Sequence, residues 1–186
     1  MDAAALRGYI REHFSRTAFR LETLQQYEVA SDGSDFARYL AGEPEPTAER
    51  KQPWLARLRS ERERGLQRSR VRLVTHPVTD YTRYECEWGY APNVEAGEQV
   101  LILDTGEAAV TDAAIERLKE CGDFWLIDDA HVVVMHYGPD GQFVGAERAE
   151  DVALYRALAQ LAREPAEPFA AWWARHEEYH RNPKVA

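Results

Sequence analysis

The chain is poor in cysteine and contains no long apolar run. Cys86 and Cys121 are its only cysteines, too few for a disulfide scaffold and too far apart for a metal-binding pair, so we expect two reduced thiols. Although 45% of the 186 residues are hydrophobic, no stretch approaches the roughly 18 apolar residues of a membrane span. Residues 1–10 lack the apolar region and cleavage pattern of a secretory signal. These absences predict a soluble, cytoplasmic globular protein.

Three common catalytic signatures are also missing. The chain has no G-x-S-x-G nucleophile elbow, no Walker A phosphate loop and no G-x-G-x-x-G dinucleotide fingerprint, which removes the usual support for the enzymes built on them. Cys86 lies between Glu85 and Glu87, and negative neighbours oppose the thiolate that a catalytic cysteine needs. The sequence therefore assigns no catalytic residue and no cofactor, which weighs against an enzyme without excluding one.

The net charge of −9 is unevenly distributed. Residues 50–72 hold nine basic and two acidic side chains, a net +7, so the rest of the chain carries −16. The basic residues are Arg50, Lys51, Arg57, Arg59, Arg62, Arg64, Arg68, Arg70 and Arg72. Such a stretch can bind phosphates or contact a partner protein. We favour a solvated helix whose arginines pair with acidic residues, because the acidic remainder would repel a long polyanion.

Hydrophobic periodicity and turn signals divide the chain into alternating helices and strands. The predicted helices cover about residues 3–14, 34–41, 51–64, 80–88, 111–120, 149–163 and 169–180. The predicted strands cover residues 70–74, 99–103, 123–127, 131–137 and 142–146. Residues 17–27 fit either a strand or a helix. Turn formers occupy residues 31–35, and a tight hairpin turn is expected at 128–130.

This order of elements predicts an α/β or α+β fold. The strand, helix and strand between residues 70 and 103 favour parallel pairing with a right-handed crossover, and the later hairpins add antiparallel strands. We expect a mixed sheet of about five strands flanked by helices. One domain spans residues 1–186, with a helical N-terminal part (1–64), an α/β sheet core (65–147) and C-terminal helices (148–186).

The most informative segment is Val78–Tyr90, which holds four aromatic and three acidic residues. This mixture indicates either a recognition surface or a buried polar network. The loop that begins at His76 occupies the carboxyl end of the preceding strand, where ligands bind in open α/β sheets. We therefore predict a cleft around residues 76–90. The candidate ligand-binding residues are His76, Asp80, Tyr81, Arg83, Tyr84, Glu85, Trp88 and Asp128.

A weak metal motif lies near the C-terminus. Residues 176–180 match H-E-x-x-H, in which His176 and His180 would bind zinc one helical turn apart and Glu177 would act as general base. Arg175 and Arg181 flank the motif, whereas the helices of zinc proteases are mostly apolar. We therefore interpret it as an exposed helix end and predict no metal site, with the two histidines as weak candidates.

Two other groups have simpler explanations. Asp128 and Asp129 are adjacent carboxylates that could hold a cation, but aspartate is also favoured in hairpin turns. His131 and His136 lie in a predicted strand at an odd separation. Their side chains therefore point to opposite faces and cannot form one site by themselves.

Several segments taken together resemble an actinobacterial domain family of unknown function, whose members are often encoded near helix-turn-helix regulators. They are F-R-L-E-T-L at 19–24, Y-L-A-G-E-P-E-P at 39–46, R-V-R-L-V at 70–74, P-V-T-D-Y-T-R-Y-E at 77–85, A-G-E at 96–98 and D-F-W-L-I-D-D at 123–129. The resemblance covers most of the chain, from about residue 10 to residue 170. It implies a bacterial cytosol but no established activity.

The layout of the strands is also similar to half of a phospholipase-D-like domain. The catalytic H-x-K of that superfamily is missing, and F-W-L-I at 124–127 stands where a lysine and a histidine should precede the valine-rich strand. This second resemblance implies a degenerate binding version without phosphodiesterase chemistry.

These observations predict a non-catalytic binding or regulatory module that recognises a small ligand or a partner protein through the cleft around residues 76–90. The alternative is a small enzyme of specialised metabolism with acid and base residues in the same cleft, or a zinc hydrolase built on H-E-x-x-H. A helix-turn-helix regulator is one candidate partner. We expect no cofactor, no nucleic acid and no membrane partner, and a homodimer is left open.

Overall fold

The computed structural model describes residues 1–29, 33–45 and 51–181. The predicted turn residues Ser31 and Asp32, together with Pro46 and Arg50, lie outside these ranges. The helices are α1 (Ala3–His13), α2 (Asp35–Leu40), α3 (Gln52–Glu63), α4 (Asp80–Tyr84), α5 (Ala91–Ala96), α6 (Asp112–Cys121), α7 (Val152–Arg163) and α8 (Phe169–Arg175). The strands are β1 (Thr17–Glu22), β2 (Gln67–Val74), β3 (Gln99–Asp104), β4 (Phe124–Ile127), β5 (His131–Tyr137), β6 (Phe143–Ala149) and β7 (Glu167–Pro168).

The strands of the described residues form one mixed sheet in the order β6-β5-β4-β1-β2-β3-β7. β1 pairs with β2, and β2 with β3, in parallel, while the other neighbours are antiparallel. The predicted α/β class and the parallel pairing of the 70–74 and 99–103 strands are confirmed. The sheet has two strands more than expected. One is β1, which comes from residues 17–27, the segment that fitted either a strand or a helix, and the other is the two-residue β7.

The two faces of β1 and β2 differ in chemistry, because successive side chains of a strand point to opposite faces. One face is apolar and packs against α7. Its core residues include Phe19, Leu21, Val71, Leu73, Phe124, Leu126, Leu158 and Ala162. Full burial of one such large side chain stabilises the fold by about 1.5–3 kcal/mol. The other face carries Arg20, Glu22, Arg70 and Arg72, and all but Arg20 are buried. We call these four residues the charged face.

A helical segment continues from α4 through a π-helix (Glu85–Tyr90) into α5. It begins at Thr79, whose Oγ1 accepts a hydrogen bond from the backbone N–H of Thr82 at 3.1 Å. The prediction ended this helix at about Trp88, whereas the helical segment continues past Gly89 and Pro92. Pro92 lies in the first turn of α5, where a proline is tolerated. The helical segment therefore runs without interruption from Asp80 to Ala96.

The C-terminal part differs from the prediction at two boundaries. β6 continues to Ala149, so α7 begins at Val152 and not at residue 149. α8 ends at Arg175, and a 3₁₀ turn (Glu177–Tyr179) replaces the helix predicted to run to residue 180. Among the helices of the described residues, none has both the length and the apolar character that crossing a membrane requires.

Candidate ligand-binding site

A cavity of about 310 Å³ lies between the charged face and the helical segment from α4 to α5. The lining residues are Arg20, Glu22, Tyr27, Val29, Lys51, Trp54, Arg70, Tyr81, Tyr84, Glu85, Trp88, Gly89, Tyr90 and Asn93. Its volume is at the lower end of the range of about 300–1,000 Å³ that is usual for small-molecule sites. The cavity can therefore enclose a compound of one or two rings.

An ion-pair network forms the floor of the cavity. Arg70 donates from Nη1 to Glu22 Oε1 at 2.8 Å and from Nη2 to Glu98 Oε1 at 2.8 Å. Arg20 Nη1 lies 3.1 Å from the same oxygen of Glu22, and Tyr90 OH donates to Glu22 Oε2 at 2.8 Å. Buried ions are stable only when paired and hydrogen-bonded, and this arrangement provides both.

The network keeps Glu22 ionised. Burial acts to raise the pKa of this carboxyl group, but the charges of Arg70, Arg20 and Arg72 outweigh burial and lower the pKa to about 2. At neutral pH the Glu22 carboxylate is therefore a fixed negative charge that three neighbouring side chains already bind. It is poorly suited to accept a further proton as a general base.

Asp123, directly before β4, forms a second polar layer behind the floor. Its Oδ1 accepts the backbone N–H of Thr23 at 2.8 Å, and its Oδ2 accepts Tyr27 OH at 2.7 Å. Arg20 Nη2 lies 3.7 Å from Oδ2 and donates to Tyr137 OH at 3.2 Å. Burial raises the pKa of Asp123, and Arg20 and Tyr27 oppose that rise. This layer fixes Tyr27 and Arg20, two of the lining side chains.

Arg72 is the least satisfied member of the charged face. Its side chain is fully buried, with 0% exposure, and its Nε and Nη1 have no hydrogen-bond partner among the described residues. Nη2 approaches Thr82 Oγ1 at 3.5 Å, and the guanidinium lies 5.1 Å from the ring centre of Tyr27. Burial acts to lower its pKa, but nearby groups, Tyr90 first, raise the pKa overall. A buried, incompletely paired cation is costly for stability, and such groups concentrate at functional sites.

Aromatic side chains form the wall opposite the floor. Tyr27, Tyr39, Tyr81, Tyr84 and Trp88 belong to one buried cluster. The ring centres of Tyr84 and Trp88 are 5.8 Å apart, and those of Tyr81 and Tyr84 are also 5.8 Å apart. Tyr39 supports Trp88 from outside the cavity in an edge-on contact at 5.4 Å. The wall therefore offers rigid flat surfaces, which favour ligands with a planar ring.

The residues of α3 and its N-terminal cap close one end of the cavity. Lys51 Nζ donates to the backbone carbonyl oxygen of Trp88. Trp54 Nε1 donates to Asn93 Oδ1 at 3.1 Å, and Asn93 Nδ2 donates to Glu98 Oε2 at 2.8 Å. These bonds connect α3, α5 and the ion pairs of the floor, so that the polar groups of this end are held in fixed positions.

Four of the eight predicted ligand-binding residues line the cavity. Tyr81, Tyr84, Glu85 and Trp88 lie on the side of the helical segment that faces β1 and β2. They are separated by three, one and three residues, which is the spacing of one helix face. The sequence therefore identified the aromatic wall.

The other four predicted residues lie elsewhere. His76 Nε2 forms a hydrogen bond with Asp104 Oδ1 at 2.6 Å. Asp80 and Arg83 form a loose ion pair at 3.8 Å, in which the Asp80 side chain is largely exposed. Neither residue lines the cavity, and the Arg83 guanidinium instead lies 5.6 Å from the ring centre of Tyr179.

Asp128 forms a structural turn. It adopts a positive φ of 52° in the predicted hairpin, and its carboxylate accepts the backbone N–H groups of Ser15, Arg16 and Thr17. Burial acts to raise the pKa of this carboxyl group, but these hydrogen bonds, together with one from the Ser15 hydroxyl, outweigh burial and lower the pKa to about 2. Asp128 therefore fixes the entry to β1.

The sequence analysis missed the floor of the cavity. Arg68, Arg70 and Arg72 lie in β2 and are buried. The strand at 70–74 was predicted, but the interpretation of the arginines of residues 50–72 as a solvated basic helix was wrong for these three. The expected pairing with acidic residues does occur, since Glu61 binds Arg68 and Arg57. The available signal was the recurrence of arginine at every second position, 68, 70 and 72, with Val71 between the last two and Leu73 after them, which is typical of a strand with one charged face.

The structure separates the histidines of the H-E-x-x-H motif. His176 lies after the end of α8, and His180 Nε2 bonds to the backbone carbonyl oxygen of Trp173 at 2.9 Å. Because the helix ends at Arg175, the helical spacing that would aim both rings at one ion is lost. The side chain of His176 instead lies beside Asp104 and Glu107.

The fold and the cavity define a mixed α/β protein in which a charged sheet face and an aromatic helical cover enclose a polar cavity. The chain belongs to the family described as Domain of unknown function (DUF6879), whose family model matches residues 4–174. The expected membership of a domain family of unknown function is thereby confirmed. A search of curated proteins found no match to this chain.

Proposed function

We propose that this protein is a non-catalytic binding module of the bacterial cytosol that encloses a small ligand in the cavity between the charged face and the helical segment. The observation that carries the proposal is the combination of an aromatic wall with a floor of buried, ordered charges. Folding alone is better served by apolar side chains in such a place, because buried ion pairs contribute little net stability. Their presence supports a role in recognition.

The chemistry of the lining favours a planar organic anion. The ring would lie against Trp88, Tyr84 and Tyr81, which present flat surfaces. An anionic group would lie among the positive charges of Arg20, Arg70 and Lys51, which all line the cavity. Charge-assisted bonds from a guanidinium to a carboxylate are among the strongest polar contacts in proteins.

The composition of the lining supports binding over catalysis. Within the described residues, the lining side chains include no histidine, cysteine, serine or threonine, and Glu22 is already bound by three donors. Glu85 remains the lining carboxylate on which the alternative of a small enzyme would depend. A regulatory role through a helix-turn-helix partner rests on the family resemblance alone.

The test uses 1-naphthoate as an anionic planar probe, and 1-naphthylmethylamine and 1-naphthylmethanol as its cationic and neutral counterparts. Isothermal titration calorimetry and saturation-transfer NMR on the full chain should show one site that prefers the anion. Equal binding of all three probes, or no binding of naphthoate, would contradict the proposed class. Conversion of a bound ligand into a product would favour the enzyme instead.

A blocking variant locates the site. Val29 lines the cavity and is 42% exposed, whereas Val144 is 63% exposed and lies on β6. Val29→Trp should fill the mouth and weaken naphthoate binding at least tenfold without loss of fold. Val144→Trp adds the same side chain elsewhere and should leave binding unchanged. Equal affinity in both variants would place the probe outside this cavity.

A further inference from the structure

A second cluster of polar side chains lies outside the cavity, at the carboxyl ends of the parallel strands β2 and β3. Asp104 is the last residue of β3, Glu107 lies in the turn that follows, and His176 follows α8. One ligand atom from each of the three lies within 4.8 Å of the others. In open α/β sheets this edge is the usual location of ligands.

Asp104 is held in a fixed orientation. It is buried, with 2% exposure, and Trp172 Nε1 donates to its Oδ2 at 2.9 Å. The backbone N–H of Gly106 donates to Oδ1 at 2.8 Å, and His76 Nε2 lies 2.6 Å from the same oxygen. Carboxylates that coordinate metals are oriented by outer hydrogen bonds of this kind.

His176 presents a buried nitrogen to the cluster. Its side chain is nine-tenths buried, at 10% exposure, and its Nε2 lies 3.3 Å from Glu107 Oε1. Nε2 nevertheless has no partner with hydrogen-bond geometry in the part of the chain that the structure describes. On the other side of the ring, Nδ1 bonds to Glu178 Oε1 at 2.8 Å. A carboxylate on the distal nitrogen is the usual arrangement of a histidine that binds a metal.

We propose that Asp104, Glu107 and His176 bind one divalent transition-metal ion, with Zn²⁺ as the best fit. One imidazole nitrogen and two carboxylate oxygens suit this ion, and water would complete its coordination. Metal–ligand distances of about 2.0–2.2 Å bring the donor atoms to within about 3.5 Å of one another. Glu107 is exposed and can supply the necessary movement. The site uses one histidine of the H-E-x-x-H motif and does not depend on the proposed ligand.

Arg175 competes for one of the three ligands. Its Nη2 lies 3.2 Å from Glu107 Oε2, while its Nη1 binds Glu167 Oε2 at 2.6 Å. The guanidinium is half exposed, so it can leave Glu107 when the ion binds. Removal of this competing cation should therefore strengthen metal binding, although Arg175 itself cannot coordinate a metal.

The experiment measures Zn²⁺ affinity of the full chain against a chromophoric chelator, and Co²⁺ absorption as a report on geometry. We expect one ion per chain. Glu107→Gln should weaken binding at least tenfold, and it changes an exposed residue, so the fold is retained. Arg175→Gln should tighten binding severalfold. His180→Gln removes the other motif histidine and should have no effect.

Three results would overturn the proposal. They are an affinity of the wild-type protein too weak to compete with the chelator, equal affinities for wild type and Glu107→Gln, and weaker binding in Arg175→Gln. A loss of binding in His180→Gln alone would assign the ion to another set of ligands. Naphthoate binding is measured separately, so failure of either proposal leaves the other intact.

Discussion

Arg70 donates to Glu22 across neighbouring parallel strands at 2.8 Å, and both side chains are enclosed by the protein. The pair occupies the middle of the sheet, a position that apolar residues normally fill. Removal of the Glu22 charge should therefore be costly, because Arg20 and Arg70 would keep their charges with one counter-ion fewer.

We predict that Glu22→Gln lowers the free energy of unfolding by about 3 kcal/mol, since Arg70 would keep only Glu98 as a counter-ion, and Arg20 only Asp123 at 3.7 Å. Arg57→Gln breaks an ion pair of similar length, 2.7 Å to Glu61, but Arg57 is 40% exposed. That control should cost about 1 kcal/mol or less. Urea denaturation of both variants measures the difference, and equal losses would contradict the prediction.

The depressed pKa of Glu22 predicts how this contribution depends on pH. Because the folded-state pKa, about 2, is below the ordinary value of 4.5, the stabilisation is complete above pH 4.5 and declines as the pH falls towards 2. The amount lost is on the order of 3 kcal/mol. A carbon-13 NMR titration of the Glu22 carboxyl group checks the pKa directly. A midpoint near 4.5 in the folded protein would show that the ion pairs do not act as described.

Gly141 and Gly65 provide a matched test of how the cavity wall is positioned. Their φ angles are 78° and 77°, but a Cβ at Gly141 would meet the carbonyl oxygen of Gln26 and lie 3.0 Å from Tyr27 Cα, whereas nothing lies near a Cβ at Gly65. Gly65→Ala should cost about 1 kcal/mol from backbone strain alone. Gly141→Ala should cost more and should also weaken naphthoate binding, because it displaces Tyr27.

The measurements are thermal or urea denaturation and calorimetric titration of both alanine variants. A Gly141→Ala protein with the stability of Gly65→Ala would mean that the contact at residues 26 and 27 is easily relaxed. Unchanged naphthoate affinity in that variant would show that the position of Tyr27 does not affect ligand binding.

The two thiols should react at different rates. Cys86 is fully buried, and Cys121 is partly exposed. Burial raises the pKa of both thiols, that of Cys121 to about 12, so neither should react rapidly at pH 8. Cys121 should be alkylated first, and Cys86 only on unfolding. Mass spectrometry of iodoacetamide-treated native protein measures the order, and early labelling of Cys86 would contradict the structure.

Much of the sheet could be predicted from local pattern. The strand at 131–137 has the predicted bounds, and the parallel pairing of β2 with β3 follows from the intervening helix. β1 could not be assigned from sequence, because Arg20 and Glu22 interrupt its apolar residues and suit a helix equally well. The burial of Glu22 depends on partners that are far away in the chain, such as Arg70 and Tyr90.

The candidate site likewise has one part that could be predicted from the sequence and another that could not. The aromatic wall comes from one continuous segment, so its composition could be recognised in the sequence. The floor combines side chains from β1, β2 and the residues before β3, and no local pattern specifies that meeting. In the H-E-x-x-H match, by contrast, a local pattern was misleading. The spacing of His176 and His180 suggests that both lie on one helix, but α8 ends at Arg175, before either residue.

The π-helix between α4 and α5 determines how α5 is rotated about the helix axis relative to α4. Each residue of an α-helix turns the chain by about 100°, so deletion of one residue between Glu85 and Tyr90 would rotate α5 by that angle relative to α4. Asn93 would then turn away from Glu98, and α4 and α5 could no longer both direct their lining side chains into the cavity. The π-helix thus acts as a one-residue spacer that lets a single helical segment present both its tyrosines and Asn93 to the same cavity.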